Sequence, residues 1–196
     1  MPDSLAPEVV EPLLRGRFGR PYLYTESCPS TQRLLGAEHE EGAVAVAEEQ
    51  TEGRGRLGRT WHAPAGTSVL VSVLLTPPVP APRLPELSLV AGRAVARALA
   101  GVTGIEPTLK FPNDVLVDGR KVAGVLAESS EGHVVLGIGI NVNQAAEELP
   151  AETETPATSL RRVTGRRTDR AQLLADVLAE LEREYDAWLT ETGSSG

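Results

Sequence analysis

An Asp118-Gly119 pair between two runs of β-forming residues constrains the fold of this chain more than any other local feature. Valine and leucine precede the pair at 115–117, and a valine-bearing run follows it at 120–125. Asp-Gly is a preferred two-residue connection between antiparallel strands, because both positions tolerate a positive φ. The sequence therefore predicts a tight hairpin here, and with it a sheet that is at least partly antiparallel.

Strand-like and helix-like segments alternate along the rest of the chain. Strands are expected at 18–25, 43–48, 68–75 and 134–142, and helices at 30–35, 84–99 and 169–189. The two longer helices carry apolar residues at helical spacing, so each would bury one face against the sheet. This order indicates an α+β domain, with a mixed, largely antiparallel sheet and helices packed on it.

The composition excludes several classes of protein. A chain of 196 residues with 41% hydrophobic residues is large enough for one domain with a core. A net charge of -8 argues against nucleic-acid and membrane-surface partners, and the apolar stretch at 69–75 is too short to cross a bilayer. The single cysteine, Cys28, and the absence of a signal-peptide pattern favour a cytoplasmic location. The histidines lie far apart in the sequence, so no histidine metal site is expected.

The segment GRGRLGR at residues 53–59 concentrates glycine and arginine in an otherwise acidic chain. Glycine lets a backbone approach a ligand closely, and arginine offers a fixed fork of donors that matches carboxylate and phosphate groups. The combination suits a loop that grips an anion. Glutamates precede it within positions 38–49, so the positive charge is local.

The same segment is also compatible with a dinucleotide-binding loop or with a simple surface loop. Its glycine spacing matches the dinucleotide-binding fingerprint, but that motif needs a helix after the loop, and residues 60–66 are loop-like. The more common alternative is a solvated surface loop that carries scattered arginines.

Polar residues in three later segments each allow a structural and a functional interpretation. KFPND at 110–114 fits turn chemistry after a proline, or an amide and a carboxylate that face a ligand. Lys121, just after the hairpin turn, fits an exposed edge residue or a cation that points into a cleft. In GIGINVN at 137–143, glycines inside a strand indicate close approach of a ligand or of another backbone.

Taken in order, these segments resemble the sequence blocks of the biotin protein ligases, a family related to lipoate ligases. EQTEGRGRLGRTW at 49–61 is similar to the family's signature loop, and KFPND to its Lys-Trp-Pro-Asn-Asp block. RKVAGVL at 120–126 and GIGINVN match the next two blocks, and STQ at 30–32 resembles a Ser-Thr-Asn segment. The resemblance covers residues 22–188 and implies a catalytic domain whose fold resembles the core of class II aminoacyl-tRNA synthetases.

The resemblance implies a ligase that uses ATP and Mg²⁺ to convert biotin to biotinyl-5'-AMP. The biotin would then pass to a lysine of the biotin carboxyl carrier protein of a carboxylase. Biotin and ATP are both anions, and two unit charges roughly 4 Å apart repel by about 4 kcal/mol at an effective dielectric near 20. Cationic side chains that offset this repulsion would also stabilise charge that develops on phosphorus. The metal would be held mainly by phosphate oxygens and water, with no ligand set of its own in the protein.

The resemblance also implies roles for individual residues. The catalytic residues would be Arg54, Arg56, Lys121 and Asp114, with Asp114 orienting the acceptor amine either as a base or as a positioning group. The biotin-binding residues would be Ser30, Thr31, Gln32, Gln50, Gly53, Arg54, Gly55, Arg56, Trp61, Lys121 and Gly124. The nucleotide-binding residues would be Arg54, Arg56, Arg59, Lys110, Asn113, Asp114, Lys121 and Asn141.

The expected domain organisation is simple. Residues 1–20 are too few for the DNA-binding domain that many members of the family carry, and residues 21–190 would form the catalytic domain. Residues 191–196 are expected to be a disordered tail, and the C-terminal β-barrel common in the family is expected to be absent.

Two rival functions remain. A lipoate or octanoate ligase or transferase would share the fold, but lipoate ligases favour a glycine-rich run that ends in His-Asp, and here Trp61-His62 follows the loop. A non-catalytic module that binds biotinyl-AMP belongs to another class, and the presence of Arg56 and Lys121 favours an enzyme over it.

Overall fold

The computed structural model describes residues 3–130, 132–151 and 153–193. Its centre is a seven-stranded sheet with the strand order β1-β2-β3-β7-β6-β5-β4. The strands are β1 (Tyr22–Cys28), β2 (Val44–Gln50), β3 (Ser68–Leu75), β4 (Thr108–Lys110), β5 (Asp114–Val117), β6 (Arg120–Ser130) and β7 (His133–Asn141). Only β1 and β2 pair in parallel within the described residues, and the other neighbours are antiparallel. The predicted α+β class with a mixed, largely antiparallel sheet is confirmed.

The predicted hairpin connects β5 to β6. Asp118 and Gly119 have φ angles of 50° and 71°, and Val117 pairs with Arg120 across the turn. Positive φ at both central residues is the geometry for which Asp-Gly is favoured. This hairpin places the 110–114 segment beside the strand that carries Lys121.

In the part of the chain that the structure describes, four α-helices accompany the sheet: α1 (Pro7–Val10), α2 (Leu87–Thr103), α3 (Leu160–Thr164) and α4 (Arg170–Gly193). Helices α2 and α4 pack against each other and cover one face of the sheet. Strand β3 alternates in the way a sheet with two buried faces requires: Val69, Val71 and Val73 face these helices, and Leu74 joins a smaller cluster with Leu35 on the opposite face. No helix in the described part of the chain is long and apolar enough to span a membrane.

Several boundaries differ from the predictions for local reasons. The short helix predicted at 30–35 is a 3₁₀ turn at Thr31–Leu34. Helix α2 begins at Leu87 because the proline-rich turn Ala81–Glu86 precedes it, and it ends at Thr103 because Gly104 follows with a φ of 68°. Helix α4 continues to Gly193, so residues 191–193 of the predicted tail are helical. Residues 194–196 lie outside the described residues.

The described part of the N-terminal segment packs into the same core. Leu5 and Phe18 are buried, and Asp3 bonds to Arg170 at the start of α4. Arg170 also reaches Glu48 near the end of β2, with 2.6 Å between Nη1 and Oε2. Burial works against the charge of Arg170, but the hydrogen bond to Glu48 and the charges of Glu48 and Asp3 outweigh it, so the pKa of Arg170 is raised. This network holds the end of β2 in place just before the GRGRLGR segment at residues 53–59.

Candidate active site

A cavity of about 340 Å³ opens where the sequence blocks at 30–32, 49–61, 110–114, 120–126 and 137–143 meet. Residues from the 30–32 turn, the end of β2, the 54–62 loop and the 110–114 segment line it, together with strands β6 and β7, Pro150 and the 153–157 segment. It contains every predicted site residue except Gly53: Ser30, Thr31, Gln32, Gln50, Arg54, Gly55, Arg56, Arg59, Trp61, Lys110, Asn113, Asp114, Lys121, Gly124 and Asn141.

Gly53 contributes to the neck of the loop and not to the cavity lining. The Trp61 amide donates to the Gly53 carbonyl at 2.9 Å, and a Cβ on Gly53 would lie 2.2 Å from the Trp61 carbonyl oxygen. Only glycine permits this approach of the two backbones. Gly53 therefore closes the base of the loop 53–61, which we call the glycine-arginine loop.

One end of the cavity carries a fixed set of amides and hydroxyls. Gln50 Oε1 accepts from the Thr31 backbone amide at 2.7 Å and from the Thr31 hydroxyl at 3.0 Å. The same hydroxyl lies 2.8 Å from Ser72 Oγ. Gln32 Nε2 donates to the carbonyls of Leu126 and Val135 at 3.2 and 3.3 Å. These bonds hold Gln50 and Gln32 in set orientations.

Glycines on the two central strands form the floor of the cavity. Gly124 of β6 and Gly139 of β7 are direct register partners. A Cβ on Gly139 would lie 2.7 Å from Trp61 Cε2, and one on Gly124 would lie 3.1 Å from Trp61 Cζ3. The indole therefore rests on a bare part of the sheet. Gly137 makes room for Gln32 in the same way, since a Cβ there would lie 3.0 Å from Gln32 Cδ.

A half-buried ion pair stands next to this floor. Lys121 Nζ lies 2.7 Å from Asp114 Oδ1, and the ammonium is 5.6 Å from the centroid of the Trp61 ring. A cation at this distance from an indole is attracted by the π face. The backbone of Lys121 also holds the 156–158 segment: its amide donates to the Pro156 carbonyl, and its carbonyl accepts from Thr158, both at 2.8 Å.

The arginines of the glycine-arginine loop have different partners. Arg54 forms a two-pronged pair with Glu128 of β6, at 2.7 and 3.1 Å. Arg59 pairs with Glu154 at 3.1 Å. The Arg56 carbonyl accepts from the Arg59 amide at 3.2 Å, but the Arg56 side chain has no hydrogen bond or ion pair with any residue that the structure describes. It is thus the loop arginine whose guanidinium is left open to an incoming anion.

Glu154 joins the loop to the opposite wall of the cavity. Lys110 Nζ lies 3.8 Å from Glu154 and 2.6 Å from the Thr155 hydroxyl. The hydrogen bond from Arg59, followed by the charges of Lys110 and Arg59, lowers the pKa of Glu154. Sequence reasoning missed both Glu128 and Glu154, because neither belongs to a motif and each pairs with an arginine far away in the chain.

The predicted asparagines tie loops to strands. Asn113 Nδ2 donates to the Val125 carbonyl at 2.8 Å, and Asn141 Nδ2 donates to the Thr158 carbonyl at 3.1 Å.

Phe111, which was not predicted as a site residue, lines the cavity with 82% of its surface exposed. Within the described residues, no cluster of three or more histidine, cysteine, aspartate or glutamate side chains could hold a metal ion.

A family model described as Biotin/lipoate A/B protein ligase family matches residues 24–144. The chain belongs to this family. Its relatives include the bifunctional ligase/repressor BirA of Bacillus subtilis, 36% identical over 88% of this chain and 56% of that protein. The biotin--[acetyl-CoA-carboxylase] ligase of Mycobacterium tuberculosis is 42% identical over 76% of this chain and 56% of its own length. The chain thus spans about half the length of these two relatives. The resemblance drawn from the sequence blocks is confirmed.

Solved structures of the same family share the fold. The biotin protein ligase of Aquifex aeolicus, in complex with biotin and ATP, has a TM-score of 0.78 and 38% identity, over 87% of this chain and 72% of that one. The biotin protein ligase of Leishmania major, in complex with biotinyl-5-AMP, has a TM-score of 0.69 and 25% identity, over 81% and 72% of the two chains.

Proposed function

We propose that this biotin/lipoate ligase family domain activates biotin with ATP to biotinyl-5'-AMP and transfers the biotin to a lysine of a biotin carboxyl carrier protein. The observation that carries this proposal is the convergence of an open Arg56, a Lys121 and a fixed Thr31–Gln50 pair on one cavity. The similarity to a ligase solved with biotin and ATP supports it.

The amide end of the cavity would hold the ureido ring of biotin. Thr31 and Gln50 offer donors and acceptors whose directions are already set by hydrogen bonds within the protein, and Ser30 lines the same end of the cavity. Such pre-organisation lowers the ordering cost of binding. The apolar part of biotin would lie along the floor formed by Gly124, Gly139 and Trp61, with Gln32 closing that end.

The middle of the cavity would bring the biotin carboxylate to the α-phosphate of ATP. The carboxylate oxygen attacks phosphorus, the bond to pyrophosphate breaks, and no proton has to move. The Lys121 ammonium has three donors, so it can keep its bond to Asp114 and still donate to an anion. Arg56 would add a charge that no described carboxylate neutralises. Together they offset a repulsion of about 4 kcal/mol between the reacting anions.

The nucleotide would occupy the side bounded by the 110–114 and 153–157 segments. Lys110, Arg59, Asn113 and Asn141 line that side. Mg²⁺, when bound, would neutralise phosphate charge while it is held mainly by phosphate oxygens and water. A cytoplasmic location would supply the ATP that this reaction consumes.

The second step would use the open mouth of the cavity. The acceptor lysine must lose a proton before its amine attacks the carbonyl of the mixed anhydride, and AMP then leaves. Asp114 is the carboxylate at the cavity floor, and we assign it the role of orienting this amine. Its pair with Lys121 keeps the carboxylate in place.

Incubation of the protein with ATP, Mg²⁺, biotin and a carrier domain tests the proposal. We expect a mass increase of one biotinyl group on the carrier and release of pyrophosphate. Parallel reactions with lipoate and with octanoate should give neither product. Pyrophosphate release with lipoate alone would indicate the rival ligase activity, and binding of biotinyl-AMP with no turnover would indicate a non-catalytic module.

A further inference from the structure

The pair between Arg54 and Glu128 is built differently from the other ion pairs around the cavity. Both terminal nitrogens of Arg54 reach separate oxygens of Glu128, with Nη2–Oε1 at 2.7 Å and Nη1–Oε2 at 3.1 Å. Such a two-pronged contact fixes orientation as well as distance. Glu128 belongs to β6, one of the two strands that form the cavity floor.

Comparison with Arg59 sets this pair apart. Arg59 and Glu154 are both about two-thirds exposed and meet through one contact, so water screens their attraction. Glu128 is 36% exposed and lies on a paired strand, opposite Val135 of β7. The Arg54–Glu128 pair therefore has two contacts where the Arg59–Glu154 pair has one, and its glutamate is held by a strand of the sheet.

Backbone contacts connect Arg54 to the other side of the glycine-arginine loop. Arg54 forms an isolated bridge with Thr60, and the Gly55 amide donates to the Arg59 carbonyl at 2.7 Å. The two sides of the loop are therefore joined directly above its neck. Whatever fixes Arg54 also fixes the base from which Arg56 extends.

We propose that Glu128 is a positioning residue, which holds Arg54 as a tether of the glycine-arginine loop on β6 and leaves Arg56 as the loop arginine that meets the ligand anions. The proposal rests on the proposed function and divides the work of the loop. The Arg54 side chain anchors the loop to β6, and the Arg56 side chain binds the ligand anions. Loss of Glu128 frees both the loop and a second guanidinium.

Hydrogen exchange of the backbone amides at 53–61, measured without ligands, tests the tether directly. Glu128→Gln keeps the shape of the side chain and removes its charge, and we expect exchange there to rise roughly fivefold. Glu106→Gln is the matched control, because Glu106 is exposed and far from the loop in sequence, and it should leave exchange unchanged. Thermal unfolding of both variants checks that they are folded.

A charge swap separates a tether from a ligand contact. Arg54→Glu alone should loosen the loop, and the double variant Arg54→Glu/Glu128→Arg should restore exchange to within about twofold of the starting protein. Arg54→Glu alone should also release biotinyl-AMP faster than the starting protein, and the double variant should reverse that change. If Arg54 contacted the anion directly, the double variant would still release it faster.

The proposal is overturned if Glu128→Gln exchanges like the unmodified protein, or if the swap restores neither loop exchange nor retention of biotinyl-AMP. The exchange experiment needs no turnover. A chain that fails to label a carrier while Glu128→Gln still loosens the loop would contradict the proposed function and leave the tether standing.

Discussion

Lys121 reaches across the hairpin to Asp114 because the residue directly opposite Asp114 is Gly124. Asp114 and Gly124 are register partners, whereas Lys121 pairs in register with Leu116. With no side chain at Gly124, the lysine can extend over it, and its Nζ comes within 2.7 Å of Asp114 Oδ1. The absence of a side chain at Gly124 therefore leaves the room in which Lys121 reaches the Asp114 carboxylate.

Replacement of Lys121 by alanine should affect adenylate formation far more than folding. We expect the rate of pyrophosphate release to fall about a hundredfold or more, because one of two cations near the reacting phosphate is lost. The free energy of unfolding should fall by about 1 kcal/mol, since Asp114 keeps some access to water after losing its partner. Stopped-time pyrophosphate assays and denaturant unfolding measure the two effects. A large loss of stability with normal turnover per folded molecule would assign Lys121 a structural role.

Asp114→Asn should separate the two half-reactions. The amide keeps the size of the carboxylate and loses its charge, so Lys121 remains in place and adenylate still forms. Transfer to the carrier should slow by about tenfold to a hundredfold, because the acceptor amine loses the anion that orients it. Single-turnover labelling with pre-formed biotinyl-AMP measures this step alone. Equal slowing of both steps would mean that Asp114 acts mainly by holding Lys121.

Structure that depends on residues close in sequence could be predicted from their pattern, and most strands and turns of the sheet are of this kind. Asp118-Gly119 indicated the hairpin. The glycines at 137 and 139 indicated the close approach of a ligand or of another backbone, and the structure places the side chains of Gln32 and Trp61 there instead. Strand β4 was not predicted, because Thr108–Lys110 is exposed along its whole length and shows no apolar alternation. The N-terminal helix α1, only four residues long, also lacked a detectable period.

Contacts between distant residues lay beyond the sequence patterns. Arg54 and Glu128 are 74 positions apart, and Arg59 and Glu154 are 95 apart. No local rule pairs a particular arginine with a particular glutamate among the many in this chain. No motif marks residues 153–157 as part of a site, and their place in the cavity wall follows from the backbone bonds of Pro156 and Thr158 to Lys121.

Gly139→Ala should weaken biotin binding without preventing folding. The new methyl group would lie 2.7 Å from Trp61 Cε2, so the indole must move away from the floor. We expect the dissociation constant for biotin to rise about tenfold, which corresponds to about 1.4 kcal/mol. Isothermal titration calorimetry measures it.

Gly101→Ala is the matched control for this change. Gly101 lies within α2, and a Cβ there meets no atom within 4 Å. Alanine at that position should raise the free energy of unfolding by about 0.5–1 kcal/mol and leave biotin binding unchanged. Unaltered biotin affinity in Gly139→Ala would show that the indole position does not matter for the ligand.

Acid should selectively weaken the contact between α4 and the start of α2. Glu86 accepts hydrogen bonds from Arg83 and from Trp188 Nε1, and these two bonds lower the pKa of Glu86 to about 2. An unfolded glutamate has a pKa of about 4.3, so the ionised native form contributes stability above that pH and loses it as the pH falls toward 2. Glu86→Gln should therefore have a lower melting temperature than the unmodified protein at pH 7. The difference between the two melting temperatures should disappear between about pH 4 and pH 2. Melting curves recorded across this range measure this difference, and a constant difference would contradict the assignment.

Arg56→Ala and Arg59→Ala form a matched pair within one loop. The Arg56 guanidinium has no hydrogen-bond or ion-pair partner among the described residues, so its removal should change the free energy of unfolding by less than about 0.5 kcal/mol. We nevertheless expect adenylate formation to slow by about a hundredfold, or biotinyl-AMP to escape correspondingly faster, because the unneutralised guanidinium is lost. Arg59→Ala removes a screened surface pair with Glu154 and should reduce either rate by less than about fivefold. Rapid-quench measurement of adenylate formation, combined with a filter assay for its release, compares the two variants. Equal losses from both would show that the loop acts through its total charge, and the special place of Arg56 would have to be abandoned.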